Sequence, residues 1–70
     1  MEYSRHARIR MAKRNIAEAD VERTLANPAR GTFEPPARDI IEHFGYAADG
    51  RALNVVTNRA KTLIITIVEQ

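Results

Sequence analysis

The chain has no cysteine and no tryptophan, and its 70 residues include only three glycines, three prolines and two histidines. Without cysteine there is neither a disulfide nor a thiolate metal site, which fits a reducing cytoplasm. The glycines stand alone, so no glycine-rich loop is available to cradle a phosphate or dinucleotide, and no cofactor is expected. The longest apolar run, Leu63 to Val68, is interrupted by Thr66 and is far too short to span a bilayer; the N-terminal residues lack the apolar core of a secretory signal. These absences lead to the expectation of a soluble, unprocessed, cytoplasmic protein. A metal centre is also disfavoured. His6 and His43 would need a third ligand from Asp39 or Glu42, and Glu42 points to the opposite strand face from His43. A Ser-His-Asp arrangement fails on spacing, because Ser4 and His6 lie on different faces of one helix.

Seventy residues make one domain with a small core. The formal net charge is only +2, but it is unevenly placed. Residues 1–30 carry seven Lys/Arg against four acids, and residues 31–70 carry four against five. Arg5 to Arg14 holds five of these cations and no acid. That segment is a local positive patch of the kind that attracts polyanions, of which nucleic acid is the commonest inside cells.

Ser4 is a suitable N-cap for a helix running to about Arg14, with Asn15 able to take the left-handed position that ends it. A second helix is expected over about residues 17–26, with Val21 and Leu25 as its apolar stripe, although Ala17 stands where a capping Ser or Thr is usual. Asn27-Pro28 ends it. The pattern then alternates, predicting strands near residues 31–34, 39–46, 51–58 and 62–69, with Ala48-Asp49-Gly50 and Asn58-Arg59-Ala60-Lys61 as turns. Short turns imply antiparallel neighbours. The expected class is α+β, with two N-terminal helices packed on one face of a three- to four-stranded antiparallel sheet. Leu63–Val68 is strongly β-forming and uncharged, so it should be a central strand or be covered by a partner.

On the first helix, His6, Arg10 and Arg14 fall in one row at i, i+4 spacing beside Ala7 and Met11, while Arg5 and Arg8 point elsewhere. A helix-turn-helix reading fails, because the second helix would bring Glu18, Asp20 and Glu22 against phosphates. Metal-free transesterification of RNA suits the inventory better. It needs proton transfer at the 2′-hydroxyl and the leaving oxygen, and fixed cations for the developing phosphoryl charge. His6, Arg10, Arg14, His43, Arg51 and Lys61 are of the required types.

The helical pattern His6-Ala7-x-x-Arg10-Met11-x-x-Arg14-x-Ile16, followed by Asp20-Val21-x-x-x-Leu25 and Asn27-Pro28, resembles an uncharacterised bacterial and archaeal family of small domains related to the RelE/ParE/BrnT toxin superfamily. Leu53-Asn54-Val55-Val56 and Ile65-Thr66-Ile67-Val68 match as hydrophobic strand patterns. The resemblance implies a RelE-like fold, metal-independent RNA cleavage and inhibition by a cognate antitoxin-like protein. It places His6, Arg10 and Thr66 as catalytic candidates; Arg14, His43, Arg51 and Lys61 are the candidates for RNA phosphate contacts on their chemistry. Two other readings use the same residues: a non-catalytic module binding protein or nucleic acid, and a homodimeric scaffold.

Overall fold

The computed structural model describes residues 1–70. A strand β1 (Glu2–Tyr3) leads into helix α1 (Arg5–Arg14) and helix α2 (Glu18–Ala26). Strands β2 (Thr32–Phe33), β3 (Ile41–Tyr46), β4 (Ala52–Thr57) and β5 (Leu63–Glu69) follow. The class is α+β, as composition and periodicity predict.

The sheet differs from the expectation in two respects. It has five strands rather than three or four, in the order β1-β5-β4-β3-β2. It is also mixed, because β1 runs parallel to β5 through Glu2↔Leu63 and Tyr3↔Ile64, whereas every other pair is antiparallel. Glu2 and Tyr3 carry no strand signal of their own. Their conformation comes from the β5 edge, to which the Glu2 and Ser4 amides each donate at 2.9 Å, to the Thr62 and Ile64 carbonyls.

Ser4 is the joint between sheet and helix. Its hydroxyl accepts from the Ala7 amide at 2.9 Å, the N-cap bond that satisfies one of the free amides of a first helical turn. The same hydroxyl donates to the Ile65 carbonyl on β5. One side chain therefore starts α1 and fixes it to the sheet. At the other end Asn15 is left-handed, with φ 53°, and its amide returns to the Ala12 and Met11 carbonyls. Ala17 heads α2 without any side-chain cap.

Both helices cover the same sheet face, α1 over β5 and α2 over β3 and β4. Ala7, Met11, Ile16, Val21, Leu53, Val55, Ile64 and Ile67 form the core between the layers. Strand alternation sends Phe44, Asn54, Val56 and Thr66 to the other face. Helix α2 approaches β3 closely at Gly45, where an added Cβ would stand 2.9 Å from both Cγ2 and Oγ1 of Thr24. The Thr24 hydroxyl is itself buried and donates to the Asp20 carbonyl at 2.9 Å. No helix is long and apolar enough to cross a membrane.

β5, the most β-forming segment, lies one strand in from the sheet edge. It is flanked along its length by β4 and at Leu63–Ile64 by β1. A register shift at Val56/Thr57 separates its first residues from the rest.

Candidate functional site

The amphipathic pattern of α1 sets the geometry of its basic row. Ala7 and Met11 are buried against β5, so residues displaced by about 100° per position fan out on either flank of that stripe. On one flank His6, Ile9, Arg10, Lys13 and Arg14 line an open groove of about 530 Å³. None of the four basic side chains makes a hydrogen bond or an ion pair within the chain. Ile9 is 45% exposed in the middle of them. The groove thus presents unpaired cations around a small apolar patch, with no carboxylate in its lining.

The other flank of α1 is different in charge. The Arg8 guanidinium lies over the Tyr3 ring, 5.1 Å from its centroid, roughly 160° around the helix from His6. Burial raises the Tyr3 phenol above its ordinary ionisation, and the negative charges of Glu18 and Glu22 on α2 add to this. Tyr3, Glu22, Leu25, Ile64 and Met1 line a separate groove there. Acidic charge therefore borders α1 on one side and basic charge on the other.

Three of the seven candidate residues, His6, Arg10 and Arg14, share the groove. The other four lie elsewhere. Thr66 neighbours Ile67, which faces the helices, so its side chain is on the opposite face of the sheet. Its hydroxyl is buried with no partner in the chain. His43 is on the helix-covered face but on β3, two strands from β5, roughly 10 Å across the sheet. It is 2% exposed, with Nε2 3.0 Å from the Thr57 hydroxyl. Since α1 lies over β5, His6 is not brought above His43.

Arg51 is fully committed to the protein. It donates to the Arg14 carbonyl at 2.6 Å and the Asn15 carbonyl at 2.9 Å, and pairs with Asp49 at 2.8 Å and Glu69 at 3.2 Å. The Asp49 bond holds that carboxyl below its ordinary range. Arg51 thereby binds the free carbonyls at the end of α1 and ties them to β5, fixing the direction of the groove. Lys61 occupies the β4–β5 turn with a left-handed backbone, φ 57°, and its charge acts on His43.

Two groove residues, Lys13 and Ile9, stand outside the candidate set that the sequence offers. The same 100° projection that aligns His6 with Arg10 places Lys13 beside them, and is the signal that finds it. Arg30 was also unassigned. It lies over the Phe44 and Tyr46 rings at 5.6 and 5.0 Å and donates to the Gly45 and Leu53 carbonyls, each at 3.1 Å. Those bonds make it a clamp across β3 and β4.

Burial pushes the His43 imidazole below its ordinary value near 6.5, and the Lys61 charge acts in the same direction. The folded state therefore disfavours protonated His43, while the unfolded chain takes up the proton freely. Its neutral form is equally available to both states above about pH 6.5, and stability falls as the pH drops below that value. Thermal unfolding followed from pH 7.5 to pH 5 is expected to show a falling midpoint. His43→Gln, which keeps a polar group without titrating, should flatten this dependence.

These features define a small α+β domain whose distinguishing surface is a basic groove on its first helix. The chain belongs to the family described as domain of unknown function (DUF4258), whose model matches residues 3–69. No curated protein and no solved structure matches it.

Proposed function

We infer that this domain binds RNA, with the α1 groove as its phosphate-contacting surface. The observation that carries the reading is the set His6, Arg10, Lys13 and Arg14 around one groove, all without partners inside the protein. Guanidinium and ammonium groups in such a set supply the charge-assisted hydrogen bonds that phosphates accept. The relation to the RelE/ParE/BrnT superfamily, suggested by the helix-1 pattern, agrees with an RNA target and with an antitoxin-like partner.

A catalytic version is favoured by one detail, that His6 shares the groove with Arg10 and Arg14. Here His6 takes the proton of the 2′-hydroxyl as its oxygen bonds to phosphorus and delivers it to the 5′-oxygen as the P–O5′ bond breaks, without a metal, while the two arginines stabilise charge on the phosphoryl oxygens. Thr66, His43, Arg51 and Lys61 have no part in it, and a single imidazole serves without a carboxylate. Expression of the wild-type chain and of His6→Ala, followed by cell growth and RNA integrity, tests both versions together with RNA-binding measurements. RNA that is bound but left intact by the wild type would leave binding and remove catalysis. RNA that is neither bound nor cleaved removes the reading altogether.

A further inference from the structure

We propose that the α1 groove accepts a single RNA strand running along the helix axis, rather than a duplex. This deepens the RNA-binding reading and rests on it. Three observations lead to it.

The cations form a strip along one flank. Arg10 and Arg14 are four residues apart, about 6 Å along the helix, and His6 to Arg14 spans about 12 Å. That rise is close to the separation of successive phosphates in an extended strand. Arg10 and Arg14 thus meet consecutive phosphates, with Lys13 between them and His6 at the far end. Ile9, exposed within the groove, offers an apolar contact to a ribose or the face of an unstacked base.

The second observation is the opposite flank. A duplex laid on α1 places its second strand across the helix, where Glu18 and Glu22 stand near Tyr3. Their charges repel phosphates. Arg8, over the Tyr3 ring, opposes them, but each glutamate acts on the Tyr3 phenol more strongly than it does. The surface is complementary to one line of negative charge and opposed to two.

The third is depth. In A-form RNA the major groove is deep and too narrow for side chains to read, and duplex recognition across the wide, shallow minor groove takes contacts spread over about 16 base pairs, far more than a ten-residue helix spans. The groove on α1 is built from one short helix and carries no projecting loop. A strand with unstacked bases reaches such a surface without being opened first.

Fluorescence anisotropy of the full chain with a labelled oligouridylate and with a labelled blunt RNA hairpin tests the proposal. The single strand is expected to bind at least about tenfold more tightly than the hairpin. With three fixed cations engaged, and about −0.7 per phosphate for single strands, the slope of log K against log salt is expected near −2. Arg10→Ala and Arg14→Ala should each reduce the slope by about 0.7, while Arg5→Ala leaves it unchanged. Equal or tighter binding of the hairpin overturns the single-strand assignment and leaves RNA binding intact. A slope indifferent to Arg10 and Arg14 moves the strand off this groove. Failure to bind either probe overturns the RNA reading itself.

Discussion

Alanine at both Arg10 and Arg14 is expected to weaken RNA binding by about 100-fold at low salt while leaving the fold in place. Each guanidinium makes a charge-assisted contact in the complex, worth about 1.5 kcal/mol at the low end of the usual range, or about one power of ten in affinity. Neither side chain is bonded to anything in the free protein, so no buried group loses a partner when it is removed. Arg14 keeps its structural role through its backbone carbonyl, which accepts from Arg51 and survives the substitution. Anisotropy titration and thermal melting of the same sample separate the two effects. A double variant that binds as well as the wild type would place the RNA surface elsewhere. One that binds poorly and also melts far earlier would show that the row supports the fold.

The second large effect is expected on stability, from Asp20→Ala. Asp20 is only 7% exposed and its carboxylate serves two elements at once. It accepts from Arg23 within α2, and from the Ala48 amide at 3.0 Å in the β3–β4 turn. Alanine removes a charge-assisted bond to the turn amide, at a cost of about 1.5–3 kcal/mol, with the exposed Ala48 amide left to water. The Arg23 pair adds little, because that side chain is half exposed. A domain of this size has total stability on the order of 4–10 kcal/mol, so the melting temperature should fall by about 10–20 °C. Asp20→Asn keeps an acceptor for Ala48 and should recover most of the loss. Equal melting of the alanine variant and the wild type would show that water replaces the carboxylate in the turn.

The elements legible in the sequence were those specified by near neighbours. Ser4 and Asn15 mark the ends of α1 because capping is decided within one helical turn, and Asp49-Gly50 marks the hairpin for the same reason. β1 was not legible, since two residues acquire a strand conformation only by pairing with Leu63 and Ile64 far along the chain. The site divides similarly. His6, Arg10 and Arg14 lie on one helix, and a helical projection alone aligns them. Grouping them with His43, Arg51, Lys61 and Thr66 required knowing which strand lies under α1 and which face each strand residue takes. Thr66 and Ile67 show how much hangs on this: one residue of register puts a hydroxyl on the groove side or beyond the sheet. Arg51 has the chemistry to meet a phosphate, but Asp49, two residues earlier, holds it across the turn.

The pairing of β1 with β5 also governs the order in which the molecule can be completed. The acceptors for Glu2 and Ser4 lie at Thr62, Ile64 and Ile65, so the first strand must wait for nearly the last segment before it has a partner. Contacts of such sequence separation carry a large loop-closure cost and slow the folding of a small domain. During synthesis, α1 can turn helical early from its own Ser4 cap, yet it has nothing to lie on until β5 emerges. Its cationic strip takes a fixed direction only once β5 is in place to hold the helix.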